Sequence, residues 1–200
     1  MQTDQSLGEF IHSYSTEEVF NVWRRTEQKL KHWEPIWKPR GSWEAWRRET
    51  HRLVLEANLT WNGYRLDQPL ETVPTWRGGL FHAWAKYFYP TVEIPESDSI
   101  RKNNVNLPPR LRDLLRHPGV SNHYYIRQIP EAMTRGSWIQ TTLTALRHPN
   151  GEISVVEGMH RSCGIALATQ DHRDVFYTAV DLLLADWPSN ELPKLGSWPK

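Results

Sequence analysis

The chain has one cysteine, almost no net charge and no long apolar segment. A single cysteine, Cys163, excludes a disulfide bond within these 200 residues and is typical of a reducing compartment. A formal net charge of +1 gives no overall attraction to nucleic acid. The sequence also lacks an apolar run that could span a membrane and the basic start and apolar core of a signal peptide. We therefore expect a cytoplasmic protein without a membrane partner.

Tryptophan, in contrast, is abundant, and eight of the 11 tryptophans precede residue 85. A capping box at Ser15 to Glu18 begins one predicted helix, and Ser42 begins a second, so we expect an antiparallel helix pair. Aromatic side chains at helical spacing usually fill the seam between packed helices, which favours a core role over base stacking or a cation cage. The two apolar stripes consist of Val19, Trp23, Leu30 and Trp33, and of Trp43, Trp46, Thr50, Leu53 and Ala57.

The second half of the chain alternates between strand-like and helical segments. Asn150-Gly151 separates two runs rich in β-branched residues and is a strong hairpin signal. After the second run, Gly158 marks a turn and a helix begins with His160. Strands are predicted at residues 124–128, 138–147, 153–156 and 175–184.

The turn between the strand at 153–156 and the following helix carries the residues best suited to chemistry. Gly158 can adopt a backbone conformation closed to other residues and allows another group to approach closely. The first N–H groups of a helix, with the positive end of its dipole, favour an anion. Arg161 adds a fork of donors that suits a phosphate, and His160 titrates near neutral pH. This turn therefore predicts an anion or phosphate site, with a surface capping role as the alternative.

The order strand, Asn-Gly hairpin, strand, Gly-x-His-Arg turn, helix and strand resembles the ParB/sulfiredoxin-like superfamily over about residues 123–185. The resemblance implies that Gly158, His160 and Arg161 bind nucleotide phosphates. Sulfiredoxins carry their catalytic cysteine where this chain has Met159, and a thioether cannot replace a thiolate nucleophile. In the kinases of this superfamily a further acidic residue activates the acceptor, and Glu131 and Glu152 are candidates for that role here.

The expected site follows from the turn and the resemblance together. His160 and Glu157 are the predicted catalytic residues, with ATP or another nucleotide and Mg²⁺ as cofactors and Glu157 as a possible Mg²⁺ ligand. The spacing of histidines and cysteines predicts no metal site built by the protein alone. The predicted phosphate-binding residues are Gly158, Met159, Arg161 and Ser162.

These observations predict a single α+β domain over residues 1–200. Residues 1–120 form a mainly helical, tryptophan-rich extension, 121–186 a small mixed sheet of ParB/sulfiredoxin-like type, and 187–200 an irregular tail. The expected function is nucleotide binding, with a nucleotide or a phosphorylated small molecule as partner. Phosphoryl transfer or nucleotide hydrolysis would be its enzymatic form.

Two alternatives stay open. Residues 23–52 hold nine Lys or Arg against four Asp or Glu, and residues 101–135 hold seven against two. These basic segments suit a non-enzymatic module that binds nucleic acid or protein, in which Arg24, Arg25, Arg47 and Arg48 would make contacts. A specialised enzyme that acts on a small metabolite is the third possibility, because a fold does not determine a function.

Overall fold

A computed structural model describes residues 7–28, 30–88, 108–137, 140–171 and 179–196. The protein has an α+β fold with a five-stranded mixed sheet in the order β1-β2-β5-β3-β4. The strands are β1 (Gly8–Tyr14), β2 (Trp61–Leu66), β3 (Gln140–Arg147), β4 (Ile153–Glu157) and β5 (Ala179–Asp186).

The strand furthest along the chain lies in the centre of the sheet. β5 pairs parallel to β3 and antiparallel to β2, whereas β1 and β4 lie at the two edges. β3 and β4 form the predicted antiparallel hairpin, in which the His148 N–H donates to the Glu152 carbonyl at 2.8 Å and Gly151 has φ = +82°. The Asn-Gly prediction is therefore confirmed.

Alternate residues of the strands point to opposite faces of the sheet, and each face has its own core. Leu182 and Leu184 of β5 belong to a cluster with Leu143 and with Ile165 of the long C-terminal helix. Leu183 of β5 belongs to the other cluster, which holds the tryptophan-rich N-terminal helices. Phe20, Trp23 and Trp43 are almost completely buried there, which confirms the core interpretation for Trp23 and Trp43.

Local signals explain where several helices begin. The Ser15 hydroxyl accepts from the Glu18 N–H, and the Glu18 carboxylate accepts from the Ser15 N–H, so the predicted capping box is present. Ser42 caps the next long helix by accepting from the Ala45 N–H. The helices are α1 (Thr16–Glu27), α2 (Glu34–Trp37), α3 (Trp43–Thr50), α4 (Arg52–Glu56), α5 (Pro69–Thr72), α6 (Ala85–Phe88), α7 (Leu111–Leu114), α8 (Pro118–Ser121), α9 (Tyr124–Thr134) and α10 (Met159–Gln170).

α10 follows β4 and is buried on almost all sides, packing against α9. The two helices approach closely at Gly164, where an added Cβ would lie 2.5 Å from the Ile129 Cβ. In the described part of the chain, none of the helices is long and apolar enough to cross a membrane.

Several predicted elements are wrong. Residues 124–128 form the first part of helix α9, not a strand, because Ile126, Ile129 and Met133 bury one helical face. The second predicted N-terminal helix breaks at His51 into α3 and α4, so Leu53 leaves the stripe and is 46% exposed. β1 and β2 were not predicted, and both lie within the region expected to be mainly helical. Residues 138–139 and 175–178 of two predicted strands lie outside the described residues.

Candidate functional site

The Gly-x-His-Arg turn connects β4 directly to α10. Gly158 precedes the helix with φ = +94°, a left-handed conformation that favours glycine. A Cβ at this position would also lie 2.9 Å from the Leu143 Cδ2 atom. The first intrahelical bond runs from the Ser162 N–H to the Gly158 carbonyl at 2.8 Å, so the helix supplies no acceptor for the N–H groups of residues 159–161.

This turn opens into a cavity of about 750 Å³. Five of the six residues predicted for the site line it: Glu157, Gly158, Met159, His160 and Arg161. Ser162 does not line the cavity. Its side chain is completely buried, and its hydroxyl has no hydrogen-bond partner among the described residues. Met159 is engaged structurally, since its sulfur accepts from the Gly79 N–H at 3.3 Å. Neither Glu131 nor Glu152 lies in the cavity wall.

Aromatic rings form much of the cavity wall around His160. The His160 ring lies 5.1 Å from Trp84, 6.1 Å from Tyr125 and 6.2 Å from Trp33, measured between ring centroids. His123 is nearer still, at 4.9 Å, and burial followed by the charge of Lys86 lowers the pKa of His123. The predicted catalytic histidine therefore sits among flat, polarisable surfaces.

Two ion pairs form another part of the lining. Arg47 of α3 binds Glu27 of α1 through two nitrogens, with its Nε donating to Oε2 at 2.6 Å. Arg161 of α10 donates to the Glu157 carboxylate and, at 3.3 Å, to the Thr141 hydroxyl. The Glu27 and Glu157 carboxyl groups are close enough to shift each other's pKa, and this interaction joins the two pairs. We call Glu27, Arg47, Glu157 and Arg161 the four-group cluster.

The cluster separates the proton affinities of its two carboxyl groups. Burial and, to a smaller extent, the neighbouring Glu157 raise the pKa of Glu27 to about 7 against the opposing charge of Arg47. Burial also raises the pKa of Glu157, but Arg161, the hydrogen bond from Glu27 and Arg47 together hold it below its ordinary value. Of the two carboxyl groups, Glu27 is therefore the one that keeps a proton as the pH approaches neutral, and Glu157 is the one that ionises first.

His51 lies next to Arg47 of the cluster, with its Nε2 3.5 Å from the Arg47 Nη1. Its Nε2 lies 3.2 Å from the Val156 carbonyl, and its Nδ1 lies 3.0 Å from the Thr50 hydroxyl. Complete burial, followed by the charge of Arg47, holds the pKa of His51 well below its usual range. The ring is therefore neutral and positions its neighbours instead of adding charge.

Sequence reasoning missed Glu27, Arg47 and His51 as parts of the site. A signal for Glu27 and Arg47 existed in the helix pattern. Glu27 follows Trp23 by four residues, and Arg47 follows Trp43 by four, so both charges lie on the buried stripes of their helices. A charge on an apolar stripe is rarely left without a buried partner.

The surroundings of Glu157 do not suit the expected Mg²⁺. Mg²⁺ prefers carboxylate oxygens together with water and substrate phosphates, and Glu157 already accepts from Arg161. Across the described residues, no group of three His, Cys, Asp or Glu side chains is arranged to hold a metal ion. We therefore assign no chemical step to a metal at Glu157.

Comparisons with known proteins identify no family for this chain. A scan against models of protein families, a search of curated proteins and a search of solved structures found no match for the chain.

Proposed function

We propose that the cavity binds a nucleotide, or another small molecule that combines a flat ring with a phosphate group. One observation carries the proposal: the amino end of the 12-residue helix α10 and the aromatic wall open into the same cavity. Its volume of about 750 Å³ is within the usual range for small-molecule sites, about 300–1,000 Å³.

The aromatic wall supports recognition of a ring. Trp33, Trp84 and Tyr125 surround His160 and line the cavity, and stacking of a base on such rings contributes about 1–3 kcal/mol. Tyr125 is 37% exposed, so it lies where a ligand can reach it.

The amino end of α10 supports recognition of the phosphate. Its first N–H groups lack helical acceptors, and the helix dipole adds positive potential at the same point. Arg161 and Arg47 supply two permanent positive charges beside it. Glu157 already binds Arg161, so a phosphate here would share that guanidinium with the carboxylate.

Phosphoryl transfer or nucleotide hydrolysis is the enzymatic form of this proposal. His160 would then bind the phosphate or move a proton, and the helix amides and arginines would stabilise charge on the transferred group. Glu157 becomes less suitable as a catalytic base, since its arginine partner favours the ionised form and weakens it as a proton acceptor.

The nucleic-acid alternative has weaker support. Arg47 is buried in the four-group cluster, and Arg48 forms an ion pair with Glu17, whereas Arg24 and Arg25 are exposed. Residues 101–107 of the second basic segment lie outside the described residues. An enzyme for a small metabolite would use the same cavity and differs from our proposal only in its ligand.

Thermal unfolding with a panel of ATP, CTP, GTP, pyrophosphate and phosphate, with and without Mg²⁺, tests the proposal. A ligand at 100 times its Kd stabilises the folded state by about 2.7 kcal/mol. We expect at least one nucleotide to raise the Tm, and phosphate alone to raise it less. If no nucleotide stabilises the protein, the proposal is wrong.

Two neighbouring tyrosines provide a matched control. Tyr125 lines the cavity, while Tyr124 is 66% exposed and does not. Tyr125→Ala should weaken nucleotide binding about tenfold, corresponding to the loss of one stacking contact. Tyr124→Ala should bind like the wild type. Equal effects of the two substitutions would show that Tyr125 does not bind the ring of the nucleotide.

A further inference from the structure

The four-group cluster brings together charges from four separate elements at one side of the cavity. Glu27 comes from α1, Arg47 from α3, Glu157 from β4 and Arg161 from α10. The Trp43 indole N–H also donates to Glu27 at 3.2 Å, in addition to Arg47. The carboxyl pair therefore receives hydrogen bonds from both α3 and α10.

Counting charges shows what a single proton does at this site. The two guanidinium groups stay positive throughout the ordinary pH range. Two neighbouring carboxyl groups in a buried cluster repel each other when both are ionised, so the pair keeps one proton until the pH rises past the raised pKa of Glu27, about 7. With that proton the cluster carries a net charge of +1, and without it the net charge is zero. Only the protonated cluster has charge left over for an anion.

We propose that, above neutral pH, the site takes up one proton with each anionic ligand that it binds, and that Glu27 holds this proton beside Glu157. The inference rests on the proposed function, because it concerns the same cavity. It adds that the preferred ligand is an anion whose binding weakens as the solution becomes alkaline. A pKa of about 7 for Glu27 places this change in the physiological range.

The charged groups that face the pair are consistent with this assignment. Arg47 and Arg161 are the two cations in contact with it, and His51, behind Arg47, is neutral. An anion near Arg161 would be repelled by a second negative charge on Glu27. Proton uptake removes that repulsion: Glu27 then accepts from Arg47 as a neutral carboxyl group, and the ion pair of Arg161 with Glu157 is unchanged. Ligand binding and protonation of Glu27 are therefore coupled in the same direction.

Titration calorimetry with ATP, in EDTA and at pH 8 and pH 9, tests the inference. ATP is fully ionised at both values, so any proton taken up belongs to the protein. Two buffers of different ionisation enthalpy reveal that uptake as a difference in heat. We expect about one proton per ATP and about a tenfold weaker affinity at pH 9 than at pH 8, as linkage requires.

The outcomes are distinct. Binding with equal affinity at both pH values and without proton uptake overturns this inference and leaves the proposed function intact. Failure of ATP, CTP and GTP to bind at all contradicts the proposed function and removes this inference with it.

Glu27→Gln locates the proton. The amide keeps the shape of the side chain and an oxygen that can accept from Arg47, but it cannot ionise. We expect proton uptake to vanish, and the variant to bind ATP at least tenfold more tightly than the wild type at pH 9. Glu152→Gln is the control, since Glu152 is paired with Arg77 outside the cavity and should leave uptake unchanged. Proton uptake that persists in Glu27→Gln contradicts the assignment of the proton to Glu27. If the variant does not fold, the proton uptake measured with the wild type still tests the inference.

Discussion

The two ends of β4 are built from the same residue types and have different surroundings. At the start of β4, Gly151 has a positive φ and Glu152 binds Arg77 through two bonds of 2.7 and 2.5 Å. At its end, Gly158 also has a positive φ and Glu157 binds Arg161. The arginine side chains are almost equally exposed, 19% for Arg77 and 21% for Arg161. The carboxylates differ, with Glu152 at 21% and Glu157 at 8%.

This difference shows that an ion pair becomes a candidate functional group through what surrounds it. Arg77 also donates to the Pro108 carbonyl, so its pair with Glu152 fastens a loop to the hairpin. The hydrogen bond from Arg77 is the main reason that the pKa of Glu152 lies below its ordinary value. Glu157, in contrast, contacts a second carboxyl group and a cavity. The first pair fastens a loop, whereas the second belongs to a cluster of charged groups that lines the cavity.

The largest expected effect is a loss of stability at the Glu157 end of β4. Arg161→Ala leaves Glu157 buried without its cation and should lower the free energy of unfolding by about 3–5 kcal/mol at pH 8. Arg77→Ala should cost about 1–2 kcal/mol, because water reaches Glu152 more easily. Urea unfolding of both variants measures the difference. Equal losses would show that burial does not distinguish the two pairs.

The next largest effect is on the pH dependence of stability, which should differ between the Glu157 end and the Glu152 end of β4. The folded-state pKa of Glu27 lies above its unfolded value of 4.5, so the stability that this group provides is present below pH 4.5 and is lost as the pH rises to about 7. His51, whose pKa is lowered, acts in the opposite direction, so the wild type alone is not informative. Relative to the wild type, Glu27→Gln should therefore gain on the order of 3 kcal/mol between pH 4.5 and pH 8.

Glu152→Gln serves as the comparison in the same experiment. The pKa of Glu152 is lowered, so its contribution is present above its unfolded value and disappears as the pH falls into the acid range. This variant should follow the wild type between pH 5 and pH 8 and differ from it only at lower pH. Urea unfolding at a series of pH values measures both curves. Parallel curves for Glu27→Gln and the wild type across neutral pH would contradict the raised pKa of Glu27.

The two glycines give a smaller contrast. An added Cβ at Gly151 meets nothing within 4 Å, so Gly151→Ala should cost only the left-handed backbone strain, about 1–2 kcal/mol. At Gly158 the same strain is joined by the contact with Leu143, for a total of about 3 kcal/mol. Thermal unfolding of the two variants tests this order. A larger loss at Gly151 would show that close approach is not what Gly158 provides.

The smallest effect concerns two buried serines. The Ser154 hydroxyl lies 2.8 Å from the His148 Nε2, and its removal should cost about 1 kcal/mol. The Ser162 hydroxyl has no partner among the described residues, so Ser162→Ala should change stability by less than about 0.5 kcal/mol. Nucleotide binding by Ser162→Ala, measured by calorimetry, then tests the prediction that Ser162 contacts phosphate. An unchanged affinity would remove Ser162 from the site.

The parts of the fold that local chemistry controls could be predicted from the sequence. The capping box at Ser15, the hairpin at Gly151 and the turn at Gly158 each depend on residues that are close in the chain. β2 was missed because its Asn62-Gly63 pair is typical of a turn. In the structure Gly63 lies inside a strand, and a Cβ there would lie 2.6 Å from the Tyr14 ring. The close approach of β1, almost 50 residues earlier in the chain, explains why a glycine is needed at position 63.

The candidate site follows the same division. The residues of the Gly-x-His-Arg turn could be named from the sequence, and five of the six predicted residues line one cavity. Glu27 and Arg47 reach that cavity through the packing of α1 and α3 on the sheet, which no local pattern specifies. Trp33 and Trp84 were considered only as core or as a general stacking surface. Their arrangement around His160 depends on three separate segments.

The central position of β5 has a consequence for synthesis on the ribosome. β2 and β3 are both made before β5, yet neither pairs with the other, and each forms its inner ladder with β5. Until residue 186 leaves the exit tunnel, the inner edges of β2 and β3 have no strand to pair with. Such exposed edges are where nascent chains associate with one another or with chaperones. The sheet therefore closes in one late step, and ribosomes stalled before β5 should carry a chain that is protease-sensitive throughout.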